Sequence, residues 1–367
     1  MRYKQLLVLA MLLLISALPG AQAQFIKSTG TEALVEAEEN AGPVKDPNLR
    51  FEYVEDGKYS KLLNVPTYEW IPRGFKEKPR GVVLFVHGLT LYGKRYDLVA
   101  KAFAASNYYA VAADMHGFGR CYVDPDKKFA VNGKSKRRVN YEASYKELVE
   151  LTRMVRQDYF GAPLVAVGES LGATPCLRLA ADHPEMVDAL ILSGPAVRVN
   201  PIMLLHPDSI VAGFMGLAID PMFNVNLGFF MKKLVSADPR ICEEMSSDPL
   251  IRKKATILDL METDGYVMKS LHYARRIRPD IPILILQGSQ DHCVVPKHVV
   301  KLLKSIKSDD QTLRWMDHLS HLLLETYYMK AETVEALATW IEAHEENHDG
   351  EMKVVREELR MLGAKAI

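Results

Sequence analysis

The chain of 367 residues has little cysteine, no net charge and no apolar run long enough to cross a bilayer. Its 46 basic residues balance 46 acidic ones, so the formal net charge is zero. No global field therefore attracts nucleic acid, and no basic stripe with interleaved aromatic residues supplies one locally. We expect no nucleic-acid partner. With 48% apolar and 25% charged residues, the composition is that of a globular protein.

The four cysteines are too few and too far apart to define a fold or a metal centre. Intervals of 55, 66 and 51 residues separate Cys121, Cys176, Cys242 and Cys293. A disulfide framework needs a denser set, although a single disulfide stays open. Zinc sites use closely spaced pairs of ligands, which these intervals do not provide. We therefore expect no metal and no other cofactor.

The first 23 residues have the pattern of a cleavable secretory signal. Arg2 and Lys4 precede an apolar run of 13 residues, from Leu6 to Leu18. This run is shorter than the roughly 20 residues that a membrane-spanning helix needs. A Pro-Gly pair follows, and small residues stand at both positions that a signal peptidase reads, so cleavage is expected after Ala23. The mature protein would be secreted or periplasmic, and an uncleaved anchor is the alternative.

The remaining chain divides into a leader, one domain and a tail. Residues 24–50 carry little apolar material, which predicts a flexible leader. The domain is expected over residues 51–345, followed by a charged tail over 346–367. Within the domain, regular alternation stops between about residues 196 and 280, where seven of the 16 methionines lie. Short helices forming a cap are predicted there, because a separate domain would need its own core.

Along the domain, the period of the apolar residues changes repeatedly between strand-like and helix-like. Strands are predicted at residues 67–71, 82–86, 108–113, 164–167, 189–192 and 283–286, and helices at 97–105, at 141–159 and from about 321 to 344. The later strands are continuous apolar runs, as expected for strands buried on both faces. The fold class is therefore α/β, with a mainly parallel sheet covered by helices on both sides.

The sharpest motif is Gly168-Glu169-Ser170-Leu171-Gly172, which lies between a predicted strand and a predicted helix. A serine on such a sharp, strained turn leaves no room for side chains two residues away on either side, so Gly168 and Gly172 fit the motif. The following helix would direct the N–H of Leu171 at a developing oxyanion. We predict that Ser170 is a nucleophile; an idle serine in a glycine-rich turn is the alternative.

A second oxyanion donor is expected at the end of the strand predicted over residues 82–86. His87, Gly88 and Leu89 follow that strand directly. The carboxyl ends of the strands are where α/β sheets bind their ligands. The N–H of Leu89 is therefore the candidate donor, with Gly88 as the glycine of its loop.

A nucleophilic serine needs a base and an orienting carboxylate, and here they should follow in the order Ser, Asp, His. Asp291 comes after the strand predicted over residues 283–286, and His321 lies 30 residues further on. That interval accommodates one helix and one strand. His321 is preferred as the base because it opens the predicted last helix, with Glu325 one turn on. His318 is the alternative base.

From about Phe51 to His344, the chain resembles the α/β-hydrolase superfamily, and within it the monoglyceride lipases, lysophospholipases and serine aminopeptidase-like hydrolases. The motifs that carry the resemblance are His87-Gly88, the run from Asp114 to Gly119, the serine turn, Asp248-Pro249-Leu250, the run from Gly288 to Pro296, and Ser320-His321 with Glu325. The resemblance implies an eight-stranded type of sheet with a helical cap. It also implies Ser170 as nucleophile, His321 as base, Asp291 as acid, and Leu89 and Leu171 as oxyanion donors. Two departures are Glu169, where many members have histidine, and Cys121, where serine is usual.

The implied function is a secreted serine hydrolase that cleaves carboxylic esters through an acyl-enzyme. An apolar, methionine-rich cap suits an acyl chain, so the expected small-molecule substrate is a monoacylglycerol or a lysophospholipid. A transient contact of the cap with a membrane surface stays open, as does the oligomeric state. A basic loop is expected to be solvated, with anionic lipid headgroups as the alternative partner; its members are Lys134, Lys136, Arg137 and Arg138.

Other functions compete with this interpretation, and a cofactor-free haloperoxidase or a carbon–carbon hydrolase would use the same three residues. Two further alternatives use the site differently. An aminopeptidase-like hydrolase would need an anionic pocket for the substrate amine, for which Glu169, Glu243 or Glu244 are the candidates. A non-catalytic ligand-binding protein could use the same fold, because a fold does not fix a function. The complete set of serine, histidine and aspartate argues against the second alternative.

Overall fold

The structure, a computed structural model, describes residues 50–73, 78–130, 133–198 and 220–344, apart from the side chains of residues 229 and 342. The predicted signal, the predicted leader up to residue 49 and the predicted tail lie outside the described residues. So does the part of the predicted cap between residues 199 and 219.

In the described ranges, the strands are β1 (Phe51–Glu55), β2 (Thr67–Pro72), β3 (Gly81–Val86), β4 (Tyr108–Ala113), β5 (Leu164–Glu169), β6 (Ala189–Ser193), β7 (Asn224–Asn226), β8 (Lys254–Thr256), β9 (Ile283–Gly288) and β10 (Gln311–Met316). The α-helices are α1 (Lys58–Leu63), α2 (Asp97–Ala105), α3 (Gly119–Tyr122), α4 (Tyr141–Asp158), α5 (Ala173–Asp182), α6 (Gly228–Lys233), α7 (Pro239–Ser247), α8 (Ile257–Val267), α9 (Ser270–Ala274), α10 (Pro296–Leu303) and α11 (Ala331–His344). Two short 3₁₀ helices cover Gly93–Tyr96 and Ser170–Gly172.

Eight of these strands form one sheet in the order β1-β2-β4-β3-β5-β6-β9-β10. β1 pairs antiparallel with β2, and β2 with β4, whereas the pairs from β4 to β10 are parallel. The six predicted strands are all present, and the sheet is mainly parallel as predicted. Because these strands are parallel, the carboxyl ends of β3, β5, β6 and β9 lie at the same edge of the sheet. The predicted site residues lie at or after strand ends at this edge.

Two apolar layers cover the faces of this sheet. Alternate residues of β3 belong to different layers: Val83 and Phe85 pack on one side, and Val82, Leu84 and Val86 on the other. All five are nearly inaccessible to solvent. Burial on both faces explains why the central strands are continuous apolar runs.

In its described part, from residue 220 onward, the predicted cap contains short helices and a small antiparallel ribbon formed by β7 and β8. Helices α6 to α9 belong to this segment. Two of its methionines, Met231 and Met245, are buried, whereas Met222, Met261 and Met268 are about half exposed. No helix in the described ranges is long and apolar enough to span a membrane.

Two expectations about polar residues change. All four cysteines are free thiols, so the disulfide that the sequence left open is not formed. The basic loop is not solvated throughout, because Lys136 is buried. Its Nζ lies 2.8 Å from the carbonyl oxygen of Asn64 and 2.7 Å from the carboxylate of Glu147. These two acceptors offset the penalty of burying the ammonium group.

Candidate active site

The strand β5 ends at a sharp turn that carries Ser170. The φ angle of Ser170 is +54°, in the left-handed region that non-glycine residues rarely occupy. A Cβ atom at Gly168 would lie 2.4 Å from the carbonyl oxygen of Gly172, and one at Gly172 would lie 1.9 Å from that of Val86. Glycine is thus required at both positions. At Gly168 the obstacle is the serine turn, as the motif predicts, whereas at Gly172 it is the backbone of the neighbouring strand β3.

The predicted oxyanion residues lie around the same space as the predicted nucleophile. Leu89, Ser170 and Leu171 line one small cavity of about 30 Å³, with mostly apolar neighbours. Leu89 follows Gly88, whose N–H donates to the carboxyl group of Glu325 at 2.8 Å. That carboxyl group therefore fixes the loop that carries Leu89.

Asp291 lies in the turn after β9, and four donors surround its carboxylate. The N–H groups of Cys293 and Val294 donate to Oδ1 at 2.8 and 2.9 Å, and the side-chain amide of Gln287 donates to Oδ2 at 2.9 Å. The fourth partner is His321. Burial alone would raise the pKa of Asp291, but the positive charge of His321 and these hydrogen bonds lower it below its usual value.

The Nδ1 atom of His321 lies 2.8 Å from Oδ2 of Asp291. Both side chains are buried. Burial would lower the pKa of His321, yet the adjacent Asp291 carboxylate raises it above 6.5. The structure therefore brings the predicted base and acid together. The alternative base, His318, is 79% exposed beside Asp317 and is not part of this arrangement.

The predicted last helix begins ten residues later than expected, at Ala331 instead of His321. His321 lies in a loop, so the reason for preferring it over His318 was wrong. The N–H groups of Leu323, Leu324 and Glu325 donate to the carboxylate of Glu169 at 2.8 to 3.2 Å. A side chain distant in sequence therefore binds the backbone of this loop and ties it to the serine turn.

From the sequence alone, Glu169 is only a departure from the family pattern and a candidate for an anionic pocket. It precedes Ser170, is fully buried, and also accepts a hydrogen bond from the Ser193 hydroxyl at 2.5 Å. Its own N–H donates to the hydroxyl of Tyr96 at 2.9 Å. A glutamate at the end of an apolar strand was the only signal in the sequence, and its partners come from other parts of the chain.

These contacts leave little support for the anionic pocket of an aminopeptidase. The carboxylate of Glu169 is occupied by backbone donors. That of Glu244 lies 2.7 Å from Arg95 and accepts from Thr326 and Tyr327. Glu243 is exposed on α7. The carboxylates of Glu169 and Glu244 are therefore already bound by groups of the protein, and neither is free to bind a substrate amine.

The cap contacts the segment around His321 directly. The carbonyl oxygen of Val235 accepts from the N–H groups of His321 and Leu322, at 3.1 and 3.3 Å. The hydroxyl of Ser320 accepts from the N–H of Ala237 at 2.9 Å. The backbone of the predicted base is therefore held by the cap on one side, while Glu169 holds the residues that follow it.

Three groups that bind metals in other proteins lie close together here. Ligand atoms of Asp291, Cys293 and His321 are within 4.8 Å of one another. Zinc binds the thiolate form of cysteine, but burial raises the pKa of the Cys293 thiol well above its usual value. The other two groups are already hydrogen-bonded to each other. The cluster thus favours an acid–base pair over a metal centre.

The arrangement is suited to nucleophilic chemistry. A hydroxyl on a strained turn, a buried imidazole paired with a carboxylate, and backbone loops beside the hydroxyl are the parts that acyl transfer requires. The pairing also fixes the imidazole tautomer, because a proton on Nδ1 leaves Nε2 free to accept another.

A protein-family profile described as "Serine aminopeptidase, S33" matches residues 77–326 of the chain. The chain is 24% identical over 296 residues to the monoglyceride lipase homolog of Monkeypox virus, covering 80% of this chain and 97% of that protein. It is 23% identical over 277 residues to the monoglyceride lipase of Rattus norvegicus, covering 74% and 84%. A solved structure of a soluble variant of monoglyceride lipase from Saccharomyces cerevisiae has a TM-score of 0.58 at 19% identity, covering 86% and 94%.

Proposed function

The chain is an α/β-hydrolase that belongs to the Serine aminopeptidase, S33 family of serine hydrolases, and we propose that it cleaves carboxylic esters of the monoacylglycerol or lysophospholipid type. The observation that carries the proposal is the buried pairing of His321 with Asp291 at the sheet edge where β5 presents Ser170. The relatives named as monoglyceride lipases support the same substrate class.

In the proposed reaction, Nε2 of His321 takes the proton of the Ser170 hydroxyl as the oxygen attacks the ester carbonyl carbon. The N–H groups of Leu89 and Leu171 bind the resulting oxyanion. The tetrahedral intermediate then collapses, the alcohol leaves with the proton from His321, and an acyl-Ser170 ester remains. A water molecule, deprotonated by the same imidazole, hydrolyses that ester and releases the carboxylic acid.

Asp291 acts through His321 throughout this cycle. Its carboxylate holds the proton on Nδ1 and stabilises the imidazolium that forms when Nε2 is protonated. The raised pKa of His321 reflects the same stabilisation.

The lining of the small cavity supports an apolar group next to the ester carbonyl, although a volume of about 30 Å³ has room only for the first carbons of an acyl chain. Besides the three site residues, it is formed largely by apolar side chains, with few polar ones. Its apolar members include Ala196, Phe230, Val267 and Val294. Such walls bind alkyl carbons by removing them from water, at roughly 0.8 kcal/mol for each buried methylene.

The test is hydrolysis of glycerol monoesters with two to eighteen acyl carbons, by the wild type and by Ser170→Ala in parallel. We expect the highest kcat/KM on medium or long chains and its loss in Ser170→Ala, with an unchanged thermal midpoint. A maximum at two carbons would refute the lipid substrate but not the esterase. Equal rates for the two proteins would refute Ser170 as the nucleophile.

We also propose that the protein is exported, with cleavage after Ala23. The support is the order of charged, apolar and small residues over positions 1–23. N-terminal sequencing of the protein recovered from the producing cell tests this. A mature N-terminus at Gln24 is expected, and a retained Met1 would contradict the proposal.

A further inference from the structure

Two buried glutamates lie behind the proposed catalytic groups. Glu169 and Glu325 are both 0% exposed, and neither carboxyl group forms an ion pair among the described residues. Each is bonded to backbone N–H groups of a loop that carries a site residue. Burial disfavours the charged form of both groups, and the negative charge of Glu169 further disfavours ionisation of Glu325.

The surroundings of Glu169 suit a carboxylate. Oε1 accepts from Ser193 at 2.5 Å, Leu323 at 2.8 Å and Leu324 at 3.0 Å. Oε2 accepts from the N–H of Glu325 at 2.9 Å and from that of Leu324 at 3.2 Å. Burial raises the pKa of Glu169, and the hydrogen bonds from Ser193 and the backbone together with the positive charge of His321 act in the opposite direction, in favour of the carboxylate.

The surroundings of Glu325 suit the neutral acid. Its Oε2 accepts one hydrogen bond, from the N–H of Gly88 at 2.8 Å. Its Oε1 is buried without a hydrogen-bond partner in the part of the chain that the structure describes. Burial, and next the negative charge of Glu169, raise the pKa of Glu325 well above its usual value.

We propose that Glu169, as a carboxylate, and Glu325, as a neutral carboxylic acid, are positioning residues for the serine hydrolase reaction. Glu169 ties the loop after His321 to the turn of Ser170, so that nucleophile and base share one anchor. Glu325 lies in that same loop and ties it to Gly88, next to the oxyanion residue Leu89. This inference rests on the proposed function, because the proposed function makes Ser170 the nucleophile, His321 the base and Leu89 an oxyanion donor.

The two isosteric amides distinguish these charge states. In Glu169→Gln, an NH₂ group replaces one oxygen that accepts backbone N–H groups, so at least one buried donor loses its acceptor. In Glu325→Gln, the amide oxygen still accepts from Gly88, and the site stays uncharged. We therefore expect kcat to fall by about 100-fold in Glu169→Gln, the scale of a displacement of about 1 Å. Glu325→Gln should stay within about threefold of the wild type.

A third variant, Glu69→Gln, is the matched control. Glu69 is a buried glutamate in β2 with one hydrogen bond, from the hydroxyl of Tyr109 at 2.6 Å. Its other oxygen also lacks a partner among the described residues. Since it lies away from the site edge of the sheet, Glu69→Gln should change kcat by less than about twofold whatever its effect on the thermal midpoint.

Two readouts separate a positioning role from a merely structural one. The first is the acid limb of the kcat/KM profile, which should move down by about one pH unit in Glu169→Gln, since an anion that stabilises the imidazolium is removed. Glu325→Gln should leave that limb in place. The second is the imidazole pKa of His321, measured by NMR in the Ser170→Ala background, which should fall in parallel and needs no substrate.

A fluorophosphonate probe makes the test independent of the natural substrate. Phosphonylation of Ser170 should be about 100-fold slower in Glu169→Gln and near the wild-type rate in Glu325→Gln. If the wild type is phosphonylated with this pattern but hydrolyses no ester, the positioning roles stand and the proposed substrate fails. If esters are hydrolysed and Glu169→Gln reacts like the wild type, the positioning role of the Glu169 carboxylate is overturned and the proposed function stands.

Equal losses in both amide variants would overturn the assignment of one charged and one neutral carboxyl group. Should Glu169→Gln fail to fold, Ser193→Ala removes one hydrogen bond from the same carboxylate while leaving its charge. We expect phosphonylation several-fold slower than in the wild type for Ser193→Ala, with the fold retained. A wild-type rate in Ser193→Ala would overturn the role of Glu169.

Discussion

Gly172 packs against the carbonyl oxygen of Val86 so closely that a Cβ atom would lie 1.9 Å from it. The obstacle is backbone in a central strand and cannot rotate away. Gly172→Ala should therefore reduce the free energy of unfolding by about 3 kcal/mol or more, or prevent folding.

The matched substitution is Gly265→Ala. Gly265 lies in α8, and apart from its chain neighbours and the backbone of its own helix, no atom of the described residues comes within 4 Å of a Cβ placed there. Alanine is favoured over glycine in a helix, so this variant should gain up to about 1 kcal/mol. Urea denaturation measures both changes, and equal stabilities of the two variants would contradict the packing of the serine turn.

Asp291→Asn should lower kcat by about 10⁴-fold, and it should also lower the free energy of unfolding, because a buried carboxylate bound by four donors is replaced. The amide would offer an N–H group to Nδ1 of His321 and favour the wrong imidazole tautomer. Asp317→Asn is the control, since Asp317 pairs with the exposed His318 at 3.1 Å. Asp317→Asn should keep kcat within about twofold of the wild-type value. A large loss of kcat in Asp317→Asn would indicate that His318, and not His321, is the base.

The pH dependence of kcat/KM should show an acid limb above pH 6.5. The pKa of His321 is raised from 6.5, chiefly by Asp291 acting against burial, and only the neutral imidazole accepts the proton of Ser170. Activity is therefore present above this raised pKa and is lost as the pH falls through it. A pH series on a soluble monoester locates the limb, and a midpoint below about 6 would contradict the pairing.

Arg252→Met should destabilise the cap by about 3 to 5 kcal/mol, since it leaves the buried carboxylate of Asp259 without its main partner. Although burial acts to raise it, the pKa of Asp259 is lowered, mainly by Arg252. In the wild type, the ion pair therefore contributes its full share to the free energy of unfolding at a pH above the pKa that Asp259 has in the unfolded chain. This contribution is lost as the pH falls through the lower pKa that Asp259 has in the folded protein.

The control for this pair is Arg153→Gln, at an exposed pair with Glu150 on α4. It should change the free energy of unfolding by less than about 1 kcal/mol. Thermal denaturation of both variants at neutral pH and near pH 3 provides the comparison. A pH-independent difference between Arg252→Met and the wild type would contradict the buried ion pair.

Much of the sheet could be predicted from the sequence because its central strands are buried on both faces. The run from Ile283 to Leu286 is short, continuously apolar and bounded by polar residues and proline, which is typical of a strand buried on both faces. The loops that follow these strands could be located for the same reason. The edge strand β1 and the ribbon of β7 and β8 are short and partly exposed, so their apolar pattern is weak.

The loop after His321 could not be predicted, because a partner distant in sequence determines it. Residues Leu322 to Glu325 have the composition of a helix start, yet Glu169 accepts three of their N–H groups across more than 150 residues of chain. The burial of Lys136 is a similar case, because its acceptors on Asn64 and Glu147 come from other elements. The pattern of apolar and polar residues in a segment predicts hydrogen bonds within that segment, but it gives no information about acceptors that are distant in sequence.

The hydrogen bond between the carbonyl oxygen of Val235 and the N–H of His321 matters when caps are exchanged between family members. Val235 belongs to the cap. A chimera that receives a foreign cap therefore also receives a new support for its general base. Chain-length preference and turnover should then change together in such chimeras, unless the residues around Val235 are kept from the recipient.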